Sequence, residues 1–242
     1  MTAERFAADV AELLDAAADE GTRDWWERYL TGTARFRGVK MADTRKIVRT
    51  CVERHRLDPS DTETMLDHAD RLVAQPWSED KLAAVLLLAE HALPGLTTDH
   101  LDRLAGPLAA GHLADWNSVD WYCVKVLGPF VAAGADTEVR CRAVAGWVHA
   151  DGLWQRRAGA VAFTGHAATD PELFDGFTAM LLEVADVNTG DPTRWSQTSV
   201  GWLLRELARR RPDLVTEFLA SHPELSTEAR RNARKGVQTG AG

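Results

Sequence analysis

Cysteine is scarce in this chain. Cys51, Cys123 and Cys141 are the only three thiols in 242 residues, and none has a C-x-x-C partner. That spacing excludes a disulfide framework and a cysteine-ligated zinc site. The eight histidines are scattered, without H-E-x-x-H, so a metallopeptidase helix is excluded too. There is no phosphate-binding glycine loop, no G-x-S-x-G elbow and no dinucleotide fingerprint. Long apolar runs are also missing, and the stretch 83–89 is too short to cross a bilayer. The opening Met1-Thr-Ala-Glu-Arg-Phe6 lacks a basic region followed by an apolar one. The expectation is a soluble, cytosolic protein without metal or cofactor. Strand signals are absent as well: there is no Val/Ile alternation and no hairpin dipeptide between strand-like runs.

Apolar residues make up 45% of the chain, enough for a substantial core. Nine Trp against two Tyr and seven Phe is an unusual balance. It divides the indoles between core anchors and a binding surface. The formal net charge of -8 argues against a general nucleic-acid binder. The charge is unevenly spread, however. Residues 201–242 hold eight Lys and Arg against five Asp and Glu, a local +3 on a body of -11. Such a basic C-terminal face can meet a phosphate backbone with strong salt dependence.

Nearly all of the chain reads as helix. Helical patterns cover 3–18, 43–56, 79–91, 98–110, 115–133, 136–150, 152–167, 195–210, 212–221 and 226–235. Ser60-Asp-Thr-Glu63 has capping-box spacing, and Ser78 is a further candidate cap. Pro171 behind Asp170 fits the start of a helix reaching about Val187. Residues 28–42, with Phe36-Arg-Gly-Val39, read as an ordered connector. Trp154 and Trp195 lie 41 residues apart, inside the range of HEAT-like two-helix repeats. Short, similar helices favour stacked pairs over a long bundle. The expected organisation is one helical-repeat domain over 1–236 and a flexible tail over 237–242.

Two segments, joined by a third run, carry the chemistry. In Trp116-Asn-Ser-Val-Asp120 an indole and a carboxylate sit four apart, on one helical face. Trp154-Gln-Arg-Arg157 sets an indole beside two arginines, and Gly201-Trp202 opens a run ending in Arg205. A carboxylate, a guanidinium and two indoles brought together could hold a flat cationic group. Each residue also has a plainer reading. Asp120 in an apolar helix is either a functional carboxylate or a structural cap or ion pair. Trp116 and Trp202 serve either packing or recognition, and Arg156 and Arg157 are either surface charges or groove contacts. Arg205, Arg209, Arg210 and Arg211 read as a solvated helix end or as phosphate contacts. Lys40, Arg45, Lys46 and Arg49 form a weaker cluster of the same kind.

Taken in order, Trp116-Asn-Ser-Val-Asp120, Trp154-Gln-Arg-Arg157-Ala and Val200-Gly-Trp-Leu-Leu-Arg-Glu206 resemble the AlkD-type DNA alkylation repair family. Tyr29 followed by Phe36-Arg-Gly-Val-Lys40 adds to the likeness, which runs from about Trp25 to Lys235. The resemblance implies an all-α fold, a right-handed α-solenoid of HEAT-like repeats with a concave DNA-binding face. It implies a monofunctional glycosylase that removes N3- and N7-alkylated purines, in some relatives bulky adducts as well, from double-stranded DNA without metal or cofactor. A monomer is the expectation, since a solenoid can bind duplex without two-fold symmetry, and it would associate with the nucleoid when bound to DNA. By the same resemblance Asp120 is the catalytic carboxylate, Arg157 the site cation, and Trp116 and Trp202 the aromatic walls. Tyr29, Lys40, Arg45, Arg156, Arg205 and Arg209 are the implied DNA contacts, and Trp154 is a packing residue.

The sequence departs from the family at several points. Met41-Ala42 replaces Thr-Pro or Ser-Pro, which removes a helix cap that Asp43 is placed to supply. Thr198 stands where a basic residue is common, four before Trp202, and Asn117 stands where Asp is common. With the acidic net charge, these changes leave a second reading, a non-catalytic HEAT-like DNA- or protein-binding relative.

Overall fold

Helical spacing of apolar residues becomes an all-α fold in the computed structural model, which describes residues 2–169 and 171–240. The helices are α1 (Ala3–Ala16), α2 (Glu20–Tyr29), α3 (Met41–His55), α4 (Thr62–Val73), α5 (Ser78–Leu87), α6 (Leu101–Ala109) and α7 (Trp116–Tyr122). They continue as α8 (Gly128–Ala132), α9 (Thr137–Ala145), α10 (Leu153–Val161), α11 (Phe177–Thr189), α12 (Arg194–Leu207), α13 (Pro212–Ser221) and α14 (Thr227–Gly240). Among the described residues there is no strand, only an isolated bridge between Arg35 and Trp77. The all-α, helical-repeat class expected from the sequence is the class observed.

The helix ends show where the pattern misleads. α2 is absent from the apolar pattern because it buries no residue completely, so it lacks the stripe that periodicity detects. Asp61 caps α4 by accepting from the Thr64 amide at 3.0 Å, where Ser60 was expected. Ser78 is the first helical residue of α5 and Trp77 is its N-cap, with no side-chain cap bond. The helix expected from Pro171 begins only at Phe177. There the Glu172 carboxylate turns back onto the Thr178 amide (3.2 Å) and hydroxyl (2.6 Å), which holds 171–176 out of the helix. Asp170, the expected cap, lies outside the described residues. α14 continues to Gly240, into the stretch expected as a tail, and 241–242 lie outside the described residues.

The chain forms two compact units, dividing between Val126 and Leu127. In the first, α1, α3, α4 and α5 pack together over Phe6, Val10, Leu14, Val48, Met65 and Leu72. Each such side chain contributes roughly 1.5–3 kcal/mol on burial. In the second, α10, α11, α12 and α14 enclose Phe163, Phe177, Leu181, Leu203 and Leu207. The 41-residue interval has a physical counterpart here: the Trp154 and Trp195 rings lie 6.0 Å apart.

Two consecutive buried carboxylates on α5 fix the connector after α2. Glu79 accepts the amides of Arg37 (2.9 Å), Gly38 (2.8 Å) and Val39 (3.1 Å). Asp80 accepts two bonds from the Arg37 guanidinium, at 3.0 and 2.9 Å. Gly38 has φ +94°, and a Cβ there would lie 2.0 Å from the Asp19 carbonyl. The glycine of the Phe-Arg-Gly-Val motif is therefore required by both conformation and close approach.

Candidate functional site

α7 is short and strongly capped. Asp115 accepts the Ser118 amide at 2.9 Å and its hydroxyl at 2.7 Å, which fixes the first turn and the Trp116 backbone with it. Trp116 and Asp120 then stand one turn apart, both half-buried. Three residues beyond Asp120 the helix widens into a π turn, Cys123–Leu127, a feature common near functional side chains.

In the same unit, α2 brings an aromatic group to Trp116. The Tyr29 ring meets the indole at 5.7 Å in an edge-on arrangement. Trp25 stacks on Tyr29 at 5.1 Å with the planes 10° apart. Trp26 turns inward and stacks on Phe36 at 5.4 Å. Trp25 is 51% and Tyr29 54% exposed, among the few large apolar side chains so open to solvent. The sequence pointed to Tyr29 but not Trp25; the W-x-x-x-Y spacing on a helix was the available signal.

In the second unit, Arg157 is buried, at 4% exposure, on α10. Its Nη1 donates to the Trp195 carbonyl (2.7 Å) and the Thr198 hydroxyl (3.1 Å) of α12. Thr198 is therefore an acceptor for Arg157, a role its identity alone did not suggest. Trp202 is half-buried one turn after Thr198, with the Arg205 guanidinium 6.0 Å from its ring. Trp154 packs on Trp195, in keeping with a structural role.

The expected DNA-contact cations are mostly engaged with carboxylates. Arg45 (2.6 Å) and Arg49 (2.9 Å) bind Glu90. Partial burial pushes that carboxyl up, but the two guanidiniums hold it below its usual range. Arg156 binds Asp191 at 3.1 and 2.8 Å and also donates to the Ala150 and Asp151 carbonyls. Burial pushes the Asp191 carboxyl up, but bonds from Ser196, Thr193 and Arg156 bring it down to about 2. Arg205 (2.6 Å) and Arg209 (3.2 Å) share Glu206. Lys40 is exposed at the N-cap of α3 and makes no side-chain cap bond. Asp43 does not replace the lost cap, because its carboxylate pairs with Lys46 at 3.1 Å. Among the described residues no cluster of three or more His, Cys, Asp or Glu is placed to hold a metal. No helix among the described residues is long and apolar enough to cross a membrane.

This is an all-α helical-repeat protein with indole–carboxylate and indole–guanidinium groups on short, well-fixed helices. The sequence profile of the DNA alkylation repair enzyme family matches residues 10–237. The chain belongs to that family, which bears out the AlkD-type resemblance and assigns it to the enzymatic repair of alkylated DNA. Its fold is similar to that of a solved "Predicted DNA alkylation repair enzyme from Enterococcus faecalis", with a TM-score of 0.72 at 17% identity. That likeness covers 90% of this chain and 95% of the other. No curated protein matches the chain.

Proposed function

We propose that the protein is a monofunctional DNA glycosylase that excises cationic N3- and N7-alkylated purines, 3-methyladenine and 7-methylguanine among them, from double-stranded DNA. The observation that carries this reading is the α7 pair, Trp116 and Asp120 one turn apart, with Tyr29 braced against the indole. Alkylation at N3 or N7 leaves the purine positively charged and its glycosidic bond weak. As that bond breaks, its electron pair neutralises the departing purine and positive charge develops on the deoxyribose. The Asp120 carboxylate stabilises that charge and takes a proton from the water that adds to the sugar. Indole faces attract the cationic centre and contact sugar C–H groups, the role given to Trp116 and Trp202. Arg157 is assigned to the adjacent phosphate. Neutral purines are poor leaving groups and escape excision. The reaction needs no cofactor.

The test is base release from duplex DNA treated with a methylating agent, and from duplex treated with a bulky alkylator. Free 7-methylguanine or 3-methyladenine is expected. Tight binding to alkylated duplex with no free base would replace this reading with that of a non-catalytic DNA-binding relative.

A further inference from the structure

Several of the expected DNA-contact arginines pair with carboxylates, whereas on α14 Arg230 donates to backbone carbonyls and Arg231, Arg234 and Lys235 are exposed. Arg231 and Lys235 stand one turn apart and, among the described residues, form no salt bridge, although Arg231 acts on the Glu228 carboxylate at longer range. They line a recess of about 230 Å³ between α12 and α14, together with Thr198, Glu228, Ala229 and Asn232. Its one carboxylate is already matched: Glu228 takes two bonds from Arg194, each 2.9 Å. The lining is therefore polar with a surplus of positive charge.

The walls of the recess are also closely packed. A Cβ on Gly201 of α12 would lie 2.7 Å from the Ala229 backbone, and one on Gly236 of α14 would lie 2.1 Å from the Arg205 carbonyl. The two helices thus touch backbone to backbone at both points. Arg205 also reaches Asn232 across the gap at 3.4 Å. Thr198, on the α12 wall, lies one turn before Trp202.

We infer that this recess seats a phosphodiester of the duplex backbone, with Arg231 and Lys235 as its cationic contacts. The inference rests on the DNA-directed reading above and adds a site to it. Closely packed walls spare the entropy of ordering the site on binding. A guanidinium and an ammonium one turn apart match a phosphate's diffuse negative charge. The local +3 of residues 201–242 thereby gains a definite location.

The experiment measures full-length protein binding to an undamaged duplex and to one carrying 7-methylguanine, between about 50 and about 200 mM salt. Arg231→Gln, Lys235→Gln and the double variant are compared with Arg71→Gln, which removes the same single charge as each single variant from an exposed residue of α4. Each recess variant should bind both duplexes on the order of tenfold more weakly at about 0.1 M salt. The double variant should flatten the slope of log affinity against log salt by roughly 2. The thermal midpoint should not move, and Arg71→Gln should stay close to wild type. Unchanged affinity and slope in the double variant would overturn the assignment, even with base release intact. Inorganic phosphate bound through the same two residues, with no loss of duplex affinity, would also overturn it in favour of a small-anion site. A wild-type protein that releases no base, with the variants weakened as expected, would remove the glycosylase reading and leave the recess standing.

Discussion

The edge of the Tyr29 ring rests against the Trp116 indole, 5.7 Å between centroids with the planes 68° apart. Tyr29 comes from a helix with no fully buried residue, so its position depends on this contact and on Trp25 stacked behind it. Such pairs contribute about 0.5–1.5 kcal/mol beyond burial. Tyr29→Ala should lower single-turnover base release roughly two- to tenfold. Tyr29→Phe keeps the ring and should stay near wild type. Equal losses in the two variants would show that the hydroxyl matters rather than the aromatic contact.

Thr198 gives a second prediction, because its hydroxyl accepts from Arg157 at 3.1 Å. Thr198→Val keeps the shape and removes the acceptor, whereas Thr198→Ser keeps it. A hydrogen bond to a charged group is worth about 1.5–3 kcal/mol. Valine should therefore slow base release by about tenfold or more, and serine should restore it. If both variants release base at the wild-type rate, Thr198 does not position Arg157 for the reaction.

Close helix contact predicts opposite outcomes for two glycines. Alanine in a helix interior gains about 0.5–1 kcal/mol over glycine. At Gly106 in α6 nothing lies within 4 Å of an added Cβ, so Gly106→Ala should be neutral or slightly stabilising. At Gly236 the same atom meets the Arg205 carbonyl at 2.1 Å. Overpacking of this kind costs about 1–3 kcal/mol, which outweighs the helix gain. Gly236→Ala should lower the thermal midpoint by several degrees, about 2–4 °C per kcal/mol for a chain of this size.

Acid should weaken the Arg156–Asp191 junction. The folded-state Asp191 carboxyl is held at about 2, below its ordinary 3.8. Its contribution, on the order of 2 kcal/mol, is therefore complete above the unfolded value and lost as pH falls from about 4 towards 2. Asp191→Asn should be less stable than wild type to urea at neutral pH, and the gap should close near pH 2. A gap independent of pH would assign the loss to packing.

The all-α class was legible because buried faces recur at helical spacing, and the Trp116–Asp120 pair because four residues make one turn. α2 was not legible because it has no apolar stripe, although it supplies Tyr29 and Trp25. The pairing of Arg156 with Asp191 spans 35 residues, and no local pattern reports such a partner. Thr198 read as the loss of a charge because its link to Arg157 exists only after α10 and α12 pack. The roles proposed for Asp120, Arg157 and Trp202 come from the family motifs, because spacing alone left them open between catalysis and packing.

The central claim rests on the Asp120 carboxylate. Single-turnover release of 7-methylguanine from methylated duplex, compared between wild type and Asp120→Asn, tests it most directly. Losing the charge that stabilises the developing sugar cation should slow release on the order of a hundredfold or more. Duplex affinity and thermal midpoint should remain near wild type. Release by the asparagine variant at the wild-type rate would contradict the account.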